Sequence, residues 1–450
     1  MMSNNLPKGW TIAKLGDLVI TEKGKKPKCV SKVKTKECSV PYVNIKAFEK
    51  NIIDEYTDGV GCVLCEEDDF LMVWDGSRSG YVGKAIKGAL GSTLVRIKLP
   101  LVNQDLTYYF LKSKFVEINS RAKGVGIPHV DPNLLWNYDF PLAPLNEQKR
   151  ILAKLEQLLT DLDKGIVYLE TSKQQLKVYR QAVLKWAFEG KLTNKDVKEN
   201  ELPKGWKWSP ISDVISELNQ GWSPKCENTN STSNEEWAVI KTSAIQHINF
   251  VELENKRLQK HLTPRKQHEL KNNDILITRA GPRIRVGVCC LVKNVRPKLL
   301  NCDKAYRIIA DESKVLPVYL VQVLNTPRFL KIIDKCKTGG SDSGLNLTQT
   351  RFTSIEIPLP KDIEEQRRII SEIESRLSVC DKIEETIESS LQQAEALRLS
   401  IIKKAFEGKL VPQEPNDEPA EKILQRIRAA KGNGKIDKKV QTAKKKEAVI

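Results

Sequence analysis

Apolar residues return at every seventh position along two stretches of the chain. They are Leu155, Leu162, Leu169, Leu176 and Val183 in the first, and Ile373, Cys380, Ile387, Ala394 and Ile401 in the second. Leu158, Tyr179 and Trp186 fill many of the intervening d-type positions, as do Ile383 and Leu397 in the second stretch. A strict period of seven over about five heptads keeps one stripe turned to a partner helix, and it predicts a left-handed coiled coil. Gly165 and Ser172 take d positions in the first stretch and predict a close approach of the partner there.

Start and stop signals bound both helices. Pro141 and Pro144 precede Asn146; Pro358 and Pro360 precede Asp362, with Glu365 three residues on to complete a capping box. The stop is "AFEGKL", at 187–192 and again at 405–410. Gly190 and Gly408 supply the left-handed residue that closes a helix, and Leu192 or Leu410 can fold back on the last turn. Each helix is then predicted to run about 44 residues, or about 65 Å.

The repetition extends beyond the helices. "NEQKRI" (146–151) returns as "EEQRRI" (364–369), and "AFEGKL" keeps the same shift of 218 residues. "LPKGW" at 6–10 returns at 202–206, a shift of 196. Each repeat is thus a globular part of variable length followed by a helix of constant length. Only the polar "KLTNKDVKENE" (191–201) separates the first helix from the second globular part. An antiparallel pair spares the chain a return along the rod, so the expected form has a globular part at each end and pseudo-two-fold symmetry.

The expected organisation is a globular domain over 1–144, a helix over 145–190, a linker and second globular domain over 191–361, a helix over 362–408, and a tail over 409–450. In the tail, "AEKILQRIRAA" predicts a short amphipathic helix packed on the rod or on a partner. The lysine-rich end after it is expected to be disordered. The globular parts read as mixed α/β (α+β). Strand-like runs fall at 40–45, 70–74, 92–97, 237–240, 274–278 and 286–292, and one amphipathic helix is expected in each, at 103–118 and 316–333.

Charge then narrows the partners. Lys and Arg total 74 against 57 Asp and Glu in 450 residues, a net charge of +17. That excess favours a polyanion, nucleic acid first. The expected contacts lie in glycine-rich basic loops that recur in both repeats. "WDGSRSGYVG" (74–83) answers "TRAGPRIRVG" (278–287), and "GVGIPHVDP" (124–132) answers "GGSDSGLNLT" (339–348). The candidates are Arg78, Lys84, Lys123, Lys225, Arg279, Arg283, Arg285 and Lys337, weighed against ordinary hairpins with solvated basic groups.

Other chemistry is thin. Ten cysteines are scattered without a disulfide rhythm, which fits a reducing cytoplasm, and Cys62 and Cys65 have no second pair at zinc spacing. The opening residues lack the apolar core of a signal peptide, and no run is long enough to span a membrane. No "GxxxxGK[ST]" loop occurs. The Glu-x-Lys spacing of some nucleases occurs at 189–191 and 407–409, but on helix ends. No catalytic, metal or cofactor site is expected.

Two variable domains, each opened by "LPKGW" and followed by a constant helix that starts at "PLAPLNEQKRI" or "PLPKDIEEQRRI" and ends at "AFEGKL", resemble the specificity subunit of type I restriction-modification systems. The tail "EPNDEPAEKILQRIRAAK" (414–431) also resembles that family. The resemblance implies two target recognition domains, each reading one half of a split double-stranded DNA sequence. It implies spacer helices that set the half-site separation and dock methyltransferase subunits, two by symmetry, with restriction subunits in the full complex. S-adenosylmethionine, ATP and Mg would then belong to those partners, in a bacterial or archaeal cytoplasm. The rival readings are a stand-alone DNA-modifying enzyme with internal DNA-reading repeats, and a coiled-coil scaffold.

Overall fold

The computed structural model describes residues 6–124, 126–194, 196–198 and 201–432. Its contacts divide the chain into two compact units, Met1–Leu169 with Ser389–Ile450, and Glu170–Glu388. Each unit therefore holds one globular part and a segment of each long helix.

In the first unit, strands Ile20–Lys23, Leu94–Lys98, Phe70–Val73 and Val82–Lys84 form an antiparallel sheet in that spatial order. Phe70–Val73 is buried at every position, as a continuous apolar run demands. A second sheet pairs Val40–Val43 in parallel with Gly88–Leu90. The strand expected over 40–45 stops at Val43, because the Asn44 side chain accepts the Ala47 N–H and caps a helix over Ile45–Lys50. Helix Gln104–Ser120 packs its apolar side, Leu106, Phe110, Leu111 and Ile118, into the unit's main core.

The second unit repeats the plan. Strands Ile215–Gln220, Ala305–Ala310, Ile275–Thr278 and Cys289–Leu291 keep the same antiparallel order, and Ala238–Ile240 runs parallel to Leu299–Leu300. The single helix expected over 316–333 is two, Pro317–Leu324 and Pro327–Cys336. Pro327 has no N–H with which to continue the first, and the Thr326 hydroxyl accepts from Phe329 to start the second.

The long helices are Leu145–Phe188 and Ile363–Phe406, 44 residues each. They pair antiparallel. In the second unit Lys173 meets Glu388 at 2.6 Å and Arg180 meets Asp381 at 2.7 Å, seven residues forward on one helix and seven back on the other. In the first unit Asp163 pairs with Arg398. The every-seventh residues close the seam: Leu155, Leu176, Val183, Ile373, Cys380, Ile387, Ala394 and Ile401 are buried, Leu162 and Leu169 half-buried. Of the d-type residues, Leu158 packs half-buried on the first unit's core, and the others do not follow. Tyr179, Trp186, Ile383 and Leu397 are 40–50% exposed, because two helices can cover only one flank of so wide a stripe. Nor does Gly165 mark a close approach: a Cβ there would meet nothing within 4 Å.

At the second helix start, the Asp362 side chain accepts from the Glu364 N–H at 2.9 Å. Glu365 does not complete the expected box; its carboxylate turns to Thr193, Asn194 and Arg368. At the helix ends, Gly190 and Gly408 take φ of 76° and 66°. The next N–H closes the last turn, from Lys191 to Trp186 O at 2.8 Å and from Lys409 to Lys404 O at 2.9 Å.

Side chains explain why the motifs recur together. A Cβ on Gly408 would lie 2.3 Å from Pro7 Cγ, and one on Gly190 would lie 2.1 Å from Pro203 Cγ. "LPKGW" thus seats on "AFEGKL" within each unit. The repeated glutamine of "NEQ" and "EEQ" is a clamp. Gln148 accepts the Asn103 N–H and donates to Ala143 O; Gln366 accepts the Leu316 N–H and donates to Pro360 O. Both glutamines are fully buried, so each ties the head of a short helix to the head of a long one.

Trp10 Nε1 donates to Glu147 at 3.0 Å, and Glu147 is 1% exposed. Burial lifts its carboxyl above the ordinary 4.5, with the Trp10 bond pulling the other way. A carboxyl with a raised folded pKa stabilises the fold fully below its unfolded value, and that contribution is lost as pH rises through the folded value. Glu147→Gln keeps an acceptor for Trp10 and removes the buried charge. It should raise the thermal midpoint at pH 7 by a few degrees and flatten the decline of stability above pH 4.5, read from melts between pH 4 and 8.

The tail helix Ala420–Gly432 lies against strand Thr11–Lys14 and helix Leu15–Leu18 of the first globular part, rather than on the rod alone. Ile423, Leu424 and Ile427 enter the main core, Lys431 donates to Gly16 O and Val19 O, and Asp417 pairs with Arg150 at 2.6 Å. The basic end expected to be disordered, 433–450, lies outside the described residues.

Candidate nucleic-acid interface

Each unit brings two glycine-rich loops together. In the first, Gly76 at φ 122° donates to Pro128 O at 2.7 Å, and Asp75 bridges His129. In the second, Arg283 N–H donates to Asp342 O at 2.8 Å, and Ala280 pairs with Asn346. The turns match by a closer register than the sequence suggests. Gly80, not Gly83, answers Gly287: a Cβ on either would lie 2.5 Å or 2.4 Å from an isoleucine methyl, of Ile118 and Ile333 respectively. With φ of 90° and 86°, both sites need glycine for conformation as well as space.

The basic candidates order these loops. Arg78 stacks over Tyr81 at 4.4 Å and pairs with Glu49 at 3.3 Å. Lys84 pairs with Asp105 at 3.3 Å, and Lys123 with Asp131 at 2.8 Å. The Lys123 bond holds the Asp131 carboxyl below its usual range. Arg279 donates to Asp303 O at 2.9 Å and lies over Tyr306. Arg283 bridges Asp342 and Asp334, each at 2.9 Å. Arg285 donates to the carbonyls of Ile245, at 2.7 Å, and Thr242. Lys337 holds Asp334 and Arg283 O, both at 2.8 Å, and keeps the Asp334 carboxyl low. Lys225 is exposed, and among the described residues it forms no ion pair. Five of the eight are therefore ion-paired within their own unit, and Arg279 and Arg285 are tied to backbone carbonyls.

One stretch of charge went unmarked by motif. Residues 25–36 carry Lys25, Lys26, Lys28, Lys32, Lys34 and Lys36, all exposed and, among the described residues, none ion-paired. The loop begins where Gly24 ends strand Ile20–Lys23, and Ser31 bridges Tyr56. At its base Cys29 and Cys38 approach to 2.9 Å between Sγ atoms, and the Cys38 thiol is pushed up to about 11, first by its bond to Cys29. The loop after Gly221 in the second unit is different: beside Lys225 it carries Glu227, Glu235 and Glu236. The signal for the first loop was charge density alone, six lysines in twelve residues.

Among the described residues, no group of three or more His, Cys, Asp or Glu is placed to hold a metal ion, and no helix is long and apolar enough to cross a membrane. The Glu-x-Lys pairs at the helix ends are local ion pairs, Glu189 with Lys191 and Glu407 with Lys409, each at 2.8 Å.

Against known proteins, residues 7–170 and 203–393 match the family model of the type I restriction modification DNA specificity domain. The chain is 35% identical over 413 residues to the EcoEI type I restriction enzyme specificity subunit of Escherichia coli, covering 73% of this chain and 68% of that one. It is 26% identical over 423 residues to the MjaVIII specificity subunit of Methanocaldococcus jannaschii, covering 90% and 94%. Its fold is similar to the crystal structure of an HsdS subunit from Thermoanaerobacter tengcongensis, with TM-score 0.60, 18% identity, and coverage of 90% and 98%.

Proposed function

The chain belongs to the family of type I restriction modification DNA specificity domains, and on that footing we propose that it is the subunit that gives such a complex its DNA sequence. Each globular part reads one half of a split duplex site through its paired loops. The chain itself is not catalytic. S-adenosylmethionine belongs to methyltransferase subunits, and ATP and Mg²⁺ to restriction subunits that join them, in a prokaryotic cytoplasm. The half-open stripe on the long helices supports docking of the methyltransferase. In the second unit Leu176, Tyr179, Val379 and Ile383 line a groove there that water does not favour.

The observation that carries the reading is the pair of helices of equal length, 44 residues each, following globular parts of unequal length. A reader can vary; a spacer cannot. Adding one heptad to both helices lengthens the pair by about 10 Å, or about three base pairs of B-DNA. Methylation mapping should then show unchanged half-sites with a gap wider by about three base pairs. Changed half-site bases, or an unchanged gap, would remove the helices from this role.

A further inference from the structure

The arginines of the 279–287 turn are spent on holding it, and what they hold out is Ile284, 82% exposed between Arg283 and Arg285. Arg285 is fixed to carbonyls of the neighbouring segment, and Arg283 is fixed to both Asp334 and Asp342. Lys337 grips the Arg283 carbonyl from beneath. With both neighbours pinned, the backbone at Ile284 is held and its side chain stands exposed at the turn. The first unit shows the same economy on the partner loop of its pair. Ile127, 69% exposed, stands before Pro128, whose carbonyl takes the Gly76 N–H, and Lys123 and His129 close the loop base with a reciprocal pair of backbone bonds. Single exposed apolar residues are common on proteins. One outward-facing isoleucine at the glycine-rich loop pair of each unit, next to a residue held by the neighbouring segment, is a more particular arrangement.

We propose that Ile127 and Ile284 are specificity-determining contacts, each reading a thymine in its half-site through the C5 methyl group. This rests on the reading of the loops as the DNA face. The argument is chemical. A B-DNA major groove displays donors and acceptors on every pair, but its one apolar group is that methyl. An isoleucine offers no hydrogen bond and discriminates only by burying apolar surface, so thymine is the base it can select. The neighbouring arginines, held by Asp334, Asp342 and backbone carbonyls, fix the turn and read no base themselves.

The test uses the full chain and a duplex it selects from a random-sequence library. Each thymine of the selected half-sites is replaced in turn by deoxyuridine, which lacks the methyl. Replacement at one position in each half-site should weaken binding about fourfold, the worth of one buried methyl. Ile284→Ala should weaken binding to the thymine duplex about tenfold, leave the salt dependence unchanged, and abolish uracil sensitivity in one half-site only. Ile127→Ala should do the same in the other. Both variants should melt at the wild-type temperature, since neither side chain is buried. Wild-type affinity indifferent to uracil at every position would overturn the inference. So would a fluorescent base analogue reporting isoleucine-dependent unstacking, which would make the side chain a wedge instead. If the wild-type chain selects no sequence at all, the functional reading falls first.

Discussion

Neutralising the lysine loop should cost the protein most of its hold on DNA while sparing its choice of sequence. Replacement of Lys25, Lys26, Lys28, Lys32, Lys34 and Lys36 by glutamine removes six exposed charges that form no ion pair among the described residues. Each phosphate contact releases counterions and adds about 0.9 to the slope of log affinity against log salt. If half of the six reach phosphates, the slope falls by about 2.7, and affinity at 0.1 M salt falls several hundred-fold. The half-site bases recovered by selection should be unchanged, because phosphate carries no sequence. A slope equal to wild type would mean that the loop faces away from DNA. No matching loss is expected from Lys225→Gln, since the corresponding loop of the second unit carries glutamates.

The second large effect is on folding. A Cβ on Gly24 would lie 2.0 Å from Gly91 O, and one on Gly221 would lie 2.3 Å from Cys302 O. The obstacles are backbone atoms just past the ends of strands Gly88–Leu90 and Leu299–Leu300, which no rotamer change can move aside. Gly24→Ala and Gly221→Ala should each cost more than about 3 kcal/mol and lower the melting transition by about 10 °C. Gly126→Ala and Gly340→Ala are the controls, since a Cβ at either meets nothing within 4 Å. Equal melting of all four would mean that the strand ends at Gly24 and Gly221 are looser than drawn.

These two cases mark what a linear sequence can and cannot carry. The long helices were legible because their signals are local: a period of seven, prolines before, glycine after. Direction followed from the short linker. The exposure of Tyr179 and Trp186 was not legible, because a heptad declares what must be covered and not how many helices cover it. The break at Pro327 was legible in principle; the apolar period ran through it, and the missing N–H decided otherwise. Arg283 looked like a reader because its partners lie fifty residues or more away, in Asp334 and Asp342. Gly24 and Gly221 gave no sign at all, since their need comes from backbone far along the chain, at Gly91 and Cys302.

The way the two units draw on the chain has a temporal consequence. The second is cut from one uninterrupted stretch, Glu170–Glu388, whereas the first needs both extremities: Pro7 and Trp10 rest on Gly408, and Ala420 donates to Gly9 O. On a ribosome making the protein from its amino end, the later half therefore completes its core first. The earlier half must wait, its apolar face bare, until the stretch after Glu388 emerges to finish it.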